Sequence, residues 1–396
     1  MNYKVYGYRW VVLFAFWFVM FTYGASWFAT APLLSHFMDE FNISSHATVA
    51  WLLSVIGLLV VFFAFPAGRL VDKKGPKTCT ILGTLFMVIG FGIRPWMAYS
   101  YWTLLLSSII AGLGLPEIMV SLAPVMLRWF PKKYASTPIG IGSSGLFVGF
   151  GVGTLLSPLI VESFSIQKMY LFYSLLCIIA FIVWIVLGRD KPISPPEERE
   201  KISKIGIVEG IKSITSSKIS YIYPLIGFMI TGITITVSAF VPEYLENVLS
   251  SFELGLTTGL IFFGCAVGAF FCPILASKRK GKHIGFATIL FATILWCVLF
   301  KTPLGLIFIT CFIFGFFLEG SWPIALSMQE TEKGVNPSNE GVAASMYMVG
   351  SNVGAALIPV AVGFASDNAG LKGGAIMTLV FFVVCCMLWF VVFLRK

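Results

Sequence analysis

The sequence predicts an all-α membrane protein of twelve transmembrane helices, six on each side of a polar linker, with both termini in the cytoplasm. Hydrophobic residues make up 58% of the 396 and charged residues only 11%, whereas a soluble domain carries about 25% charged residues. A chain this apolar must turn most of its surface to lipid. Twelve apolar runs are long enough to cross a hydrocarbon core of about 30 Å. The basic residues gather on one side of those runs.

Span 1 covers 10–32. The residues before it hold few charges and no small-residue cleavage site, so it reads as a retained span and not a removable signal. Spans 2 to 6 cover 47–67, 78–97, 102–127, 137–161 and 169–189; spans 7 to 12 cover 221–241, 254–276, 284–301, 303–327, 342–366 and 374–394. Only Lys301, Thr302 and Pro303 part spans 9 and 10. The polar segment 190–220 separates an N-terminal unit, 1–189, from a C-terminal unit, 221–396. Within it Ile202, Ile205, Val208 and Ile211 recur every three residues, with Lys201, Lys204, Glu209 and Lys212 between. That pattern fits a short amphipathic helix on the membrane surface or a solvated linker with a chance stripe.

Of the 27 Lys and Arg, all but Arg94, Lys168, Lys301 and Lys372 fall on the side of the termini. This bias orients a multi-pass protein, read as one of the cell membrane, with both termini inside. It also disposes of nucleic acid as the reason for the net charge of +9, because the charge sits in short loops. The eight cysteines are scattered without metal-site spacing and read as small apolar core residues. His36, His46 and His283 lie in loops, and no glycine-rich phosphate loop with lysine occurs. The sequence therefore offers no enzyme constellation, cofactor or metal site.

Two acidic residues fall inside spans, where an ionisable group is costly and a functional hypothesis by default. Glu117 lies eleven residues before Arg128 in span 4, and Glu319 eleven before Glu330 in span 10. At 1.5 Å per residue each sits about 16 Å from the cytoplasmic end, near mid-membrane. Such a carboxyl can carry a proton, attract a cation, or simply hold two helices together. Pro116 and Pro323 would loosen the helix nearby. Around this level stand Tyr23 and Trp27 in span 1, Thr231, Thr234 and Ser238 on one face of span 7, Trp322 in span 10, and Ser345, Tyr347, Ser351 and Asn352 in span 11. Aromatic walls with few polar groups suit a small-molecule site, and aromatics can hold an organic cation. Trp27 can alternatively anchor at the interface. Arg94, at the far end of span 3, reads as a gate or a snorkelling residue.

The stretch from Gly68 to Lys77, Gly-Arg-Leu-Val-Asp-Lys-Lys-Gly-Pro-Lys, reads as a cytoplasmic loop between spans 2 and 3. Its order resembles the signature of the major facilitator superfamily of transporters. Arg128-Trp129-Phe130-Pro131 is similar to a segment after span 4 in many members. The resemblance implies two pseudo-symmetric six-helix halves, with the substrate between them near the midplane and spans 1, 4, 7 and 10 lining the cavity. It implies that Asp72 latches the cytoplasmic side against the start of span 11 near Gly341, with Gly68, Arg69, Lys73 and Gly75 forming the rest of the latch. It also implies that glycine faces let the halves rock where span 5 meets 8 and span 2 meets 11. These would be Gly145, Gly149 and Gly153, Gly264 and Gly268, and Gly350 and Gly354. The second half keeps only a basic remnant of the signature, Lys278-Arg279-Lys280-Gly281-Lys282.

Two departures matter. Ser108 stands where many proton-coupled members carry arginine, four residues before Gly112, and Gly145 to Pro158 lacks the antiporter ending. Among subfamilies the chain looks most like the haem- and choline-transporter branch related to the feline leukaemia virus receptor. The expected function is a monomeric secondary transporter of a small organic solute, cationic or zwitterionic, working by alternating access with proton coupling open. A carrier or antiporter of organic anions, and a non-transporting receptor or scaffold, are the alternatives.

Overall fold

The computed structural model describes residues 7–43, 46–193, 206–245, 248–276 and 281–394, and among these every regular element is helical. Eleven helical segments are long and apolar enough to cross a membrane. Spans 1 to 3 are Arg9–Leu33, Trp51–Lys74 and Pro76–Met97; spans 4 to 6 are Tyr101–Trp129, Ser136–Ser163 and Ile166–Leu187. Spans 7 to 10 are Ile219–Ser238, Glu253–Ala276, Gly281–Leu299 and Leu304–Glu330. The eleventh, Glu340–Leu394, has 55 residues, about 80 Å at 1.5 Å each, well over twice the hydrocarbon core. Its helical geometry breaks at Ala369 and at Gly370, where φ is +67°. The limb before the break packs on span 7, Gly354 against Phe228. The limb after it packs on span 9, with Trp389 over Gly285 and Phe382 beside Trp296.

The signature is not a loop. The helix of span 2 runs His46–Lys74 and carries Arg69 to Lys74 as its last turns. Leu, Val, Lys and Arg are all tolerated in helices, and the positive end of the segment suits a helix C-terminus. The turn itself is Gly75 alone, at φ +87°, followed by Pro76 at the start of the next helix. Positive φ requires glycine, and proline suits the first turn of a helix.

The glycine faces also pack differently from the expectation. Side-chain atoms added at Gly145, Gly149 and Gly153 would strike span 1, at Trp17, Phe21 and Ala25. Those at Gly264 and Gly268 would strike Phe312 and Phe316 of span 10, and those at Gly350 and Gly354 would strike Pro224 and Phe228 of span 7. Each face therefore welds spans that lie on the same side of the linker in the sequence. Contacts between spans before the linker and spans after it use other glycines. Gly140 lies against Ala269 and Pro273, Gly151 against Phe263, and Gly68 against Gly341 and Ser345. Spans 1 and 5 meet at glycines, and so do spans 7 and 11.

The linker contains a helix, Ile207–Ile214, closed at its start by the Glu209 carboxylate, which accepts from Gly206 N–H at 3.2 Å. Its apolar face is used by the protein itself. Ile214 is buried with Val342 and Ala343, with Phe65, Ile211 and Met346 packed around them. This corrects the membrane-surface reading for the described part, although Val208 stays exposed. Ile202, Ile205, Lys201, Lys204, the basic residues 278–280, and Lys4, Arg395 and Lys396 lie outside the described residues.

Candidate functional site

Both glutamate-bearing spans are interrupted at the glutamate. Span 4 is two helices, Tyr101–Gly112 and Leu115–Trp129, and span 10 is two, Leu304–Glu319 and Trp322–Glu330. Pro116 and Pro323 lack the amide that would bond back four residues, to the carbonyls of Gly112 and Glu319. Tyrosines from neighbouring spans fasten both interruptions. Tyr23 Oη donates to the Ala111 carbonyl at 2.7 Å, and Tyr347 Oη donates to the Trp322 carbonyl at 2.9 Å.

Glu319 is 1% exposed. Its Oε1 accepts from the Thr234 hydroxyl of span 7 at 2.6 Å. Thr231, one turn earlier on the same face, accepts the Trp322 indole N–H at 3.1 Å. The rings of Trp322 and Tyr347 meet edge to face, 5.2 Å between centroids. Glu319, Thr231, Thr234, Trp322 and Tyr347 thus form one constellation from spans 7, 10 and 11.

Glu117 occupies the first turn of its half-helix and is 8% exposed. Unpaired N–H groups and the positive dipole end favour a carboxylate there. Among the described residues no hydrogen-bond partner exists for Oε2 of either glutamate, although both atoms are buried, and neither carboxyl joins a salt bridge.

Trp27 and Asn352 come together across Gly57 of span 2, at which an added Cβ would lie 3.6 Å from Asn352 Oδ1 and 4.0 Å from the Trp27 ring. The Trp27 indole donates to the Leu53 carbonyl at 3.1 Å, and its ring meets Tyr23 and Phe150 edge to face. Trp27 therefore faces the protein and is no interface anchor. Ser238 bonds back to the Ile235 carbonyl at 2.8 Å and takes no part in either group.

Arg94 does not snorkel to the surface. It is 1% exposed. Its Nε donates to Ser107 Oγ at 3.2 Å and its Nη2 to Ser108 Oγ at 2.9 Å. Its Nη1 donates to the Ser26 carbonyl at 3.0 Å and to Thr30 Oγ1 at 3.1 Å. The Phe91 ring lies under it, 4.5 Å away. Tyr23 lies within electrostatic reach of both Arg94 and Glu117. A fixed buried cation thus exists in the first six spans, which depth-counting along span 3 placed at the rim. Ser108, in place of arginine on span 4, is one of its ligands.

At the end of the signature helix, Asp72 Oδ1 accepts from Gly341 N–H at 2.9 Å, in the first turn of the helix that begins at Glu340. Ser345 Oγ donates to the Ala64 carbonyl at 2.7 Å. Arg128 Nε donates to Glu340 Oε1 at 3.0 Å, and its Nη1 lies 3.7 Å from Asp190 Oδ1. Asp190 also accepts from Lys77 N–H at 2.8 Å, and it fills the space beside Gly75 that a side chain would need. The sequence reading missed Glu340 and Asp190. The basic Arg128 in a motif-like segment was the available signal for an acidic partner.

A family profile described as Major Facilitator Superfamily matches residues 16–328 and 225–396. The chain belongs to the major facilitator superfamily. It is 22% identical over 408 residues to the choline/ethanolamine transporter flvcr2a of Danio rerio, covering 96% of this chain and 85% of the relative. It is 23% identical over 406 residues to the choline/ethanolamine transporter FLVCR1 of Felis catus, covering 94% and 70%. These relatives lie in the branch that the sequence resembles. Among solved structures, the fold matches that of the superfamily transporter FucP in the outward conformation, with TM-score 0.78 and 13% identity over 97% of this chain and 99% of that one. It also matches the human organic anion transporter MFSD10, with TM-score 0.73 and 14% identity over 96% and 99%. This superfamily member is a multi-pass secondary transporter of a small-molecule substrate, not an enzyme.

Proposed function

We propose that this transporter carries a small organic cation or zwitterion bearing an amine, with Glu319 and Glu117 reading its positive charge or a co-transported proton. The observation that carries the proposal is the pair of buried carboxyls at matching breaks in spans 4 and 10, each keeping one oxygen unpaired. A buried carboxylate without a cation is expensive, and a transporter is the kind of protein whose cycle brings one. Trp322, Tyr347, Tyr23 and Trp27 supply faces for a cationic group, and Asn352 an amide for a polar one. The printed names of the relatives, choline/ethanolamine transporters, favour the same chemistry. An organic anion is less favoured, because every nitrogen of Arg94 already donates to a protein oxygen.

The working arrangement is twelve crossings, with the 55-residue helix counted as two, in halves of six on either side of the linker and both termini in the cytoplasm of a cell-membrane protein. The matching span pairs 1–5 and 7–11 support the halves. Asp72, Gly68, Arg69, Lys73 and Gly75 with Glu340 and Arg128 close the cytoplasmic side, so the arrangement is an outward-facing one. Proteoliposome uptake of radiolabelled choline, ethanolamine and a dicarboxylate, with and without a pH gradient, tests the reading. Uptake of an amine-bearing solute is expected, and uptake of the dicarboxylate alone would refute it.

A further inference from the structure

The two halves of span 10 are held by different neighbours. The first half, Leu304–Glu319, leans on span 8. There Gly264 and Gly268 lie against the Phe312 and Phe316 carbonyls, and Gly315 lies against the Ile261 carbonyl. The second half, Trp322–Glu330, is hydrogen-bonded to span 11 at both of its ends. At its start the Tyr347 hydroxyl donates to the Trp322 carbonyl at 2.9 Å. Near its end Gln329 Nε2 donates to the Ala343 carbonyl at 2.8 Å. Residues 322 and 329 stand two turns apart on one helix face, and 343 and 347 one turn apart. Because 322 meets 347 and 329 meets 343, the two helices run antiparallel across a two-point attachment.

Gln329 is fully buried, and its Oε1 has no hydrogen-bond partner among the described residues. A buried acceptor left unpaired is costly, and an apolar side chain of the same length would fill the place without that cost. The amide is therefore accounted for by the one bond that it makes. Ala343, which receives that bond, stands two residues after Gly341, whose N–H binds Asp72. At the other end of the half-helix, the Trp322 indole binds Thr231 beside the Glu319 constellation. One short helix thus runs from the buried glutamate to the turn that Asp72 holds.

We propose that Gln329 is a positioning residue, which makes Trp322–Glu330 and the first turns of span 11 move together, so that the place of Trp322 and the Asp72–Gly341 contact change as a pair. Coupling of this kind is reciprocal. A solute held at Trp322 biases the contact, and the contact alters affinity for the solute. The part of Trp322 in holding the solute rests on the function proposed above; the tie between the helices does not.

Hydrogen–deuterium exchange of the purified full chain, read by mass spectrometry, tests the tie without any solute. Asp72→Asn should raise exchange severalfold in peptides covering 340–347 and in those covering 322–330. Gln329→Met keeps the length of the side chain and removes its donor. In that background Asp72→Asn should raise exchange in 340–347 and no longer in 322–330. A merely structural role would leave the response to Asp72→Asn the same in both backgrounds. Tyr347→Phe, which keeps the ring and removes the other bond, should weaken the response of 322–330 likewise, and decides if Gln329→Met fails to fold. Exchange in 322–330 that ignores Asp72→Asn in the otherwise unchanged chain, or follows it fully in Gln329→Met, overturns the proposal. Choline uptake gives a second readout. Asp72→Asn should shift the half-saturating choline concentration, and the shift should shrink in Gln329→Met; an equal shift in both backgrounds also overturns the proposal. Absence of choline uptake with the expected exchange pattern would refute the substrate reading and support the tie.

Discussion

Glu117 and Glu319 each lie beside a break in their span, yet their surroundings differ. Glu117 sits in the first turn of a half-helix, at the dipole end that favours negative charge. Glu319 is the last residue of its half-helix, Leu304–Glu319, at the end that disfavours negative charge. Its only side-chain partner among the described residues is the Thr234 hydroxyl. The first environment offers a carboxylate the helix N-terminus but no cation. The second needs a proton or a cation brought to it. Under the proposed function the two glutamates therefore have different tasks, and Glu319 is the one whose charge state the cycle is expected to change.

Removing Arg94 is expected to have the largest effect on the molecule. Arg94→Leu forfeits several charge-assisted hydrogen bonds, each of about 1.5–3 kcal/mol, and leaves hydroxyls unpaired. A loss above about 3 kcal/mol should appear as a collapse in thermal midpoint and yield; a wild-type midpoint would show that the cage does not hold spans 1, 3 and 4 together. The glutamates come next. Glu319→Gln should lower gradient-driven uptake at least tenfold, about 1.4 kcal/mol, with expression unchanged. Glu117→Gln should lower it only severalfold. The reverse order in an uptake assay would invert the comparison.

Thr234→Val should cost about 1–3 kcal/mol of stability, because a buried acceptor loses its donor. In the Glu319→Leu background that cost should shrink, and a double-mutant cycle measures the difference. The smallest change belongs to the latch. Asp72→Asn weakens a charge–dipole contact worth about 0.3–1 kcal/mol, or up to about 2 if partly buried. Labelling of a cysteine placed on the cytoplasmic side should rise by a few-fold; unchanged labelling would separate Asp72 from closure.

Most of the fold was readable because each span is dictated by lipid, which demands an unbroken apolar stretch with satisfied backbone. The glycines show the limit. A repeat of four says that something approaches a helix closely, but Gly145, Gly149 and Gly153 carry no mark that the neighbour is span 1 and not span 8. The run Glu340–Leu394 turns within just two residues, Ala369 and Gly370, which a polar gap in the sequence does not distinguish from a longer loop. For the site, residue types near mid-depth were recognisable one by one. The pairing of Thr234 with Glu319, 85 positions apart, was not, since it depends on how spans 7 and 10 are rotated. Arg94 was misplaced for a related reason: counting residues gives depth along a helix and says nothing of which way a long side chain runs back.

The most direct test of the account is transport by Glu319→Gln in proteoliposomes, with driven uptake and substrate counterflow compared in the same preparation. Driven uptake should be lost. Counterflow should survive if the residue carries a proton, and fall together with equilibrium binding if it holds the substrate's positive charge. Full driven uptake in Glu319→Gln would contradict the account, making the carboxyl a structural partner of Thr234 and nothing more.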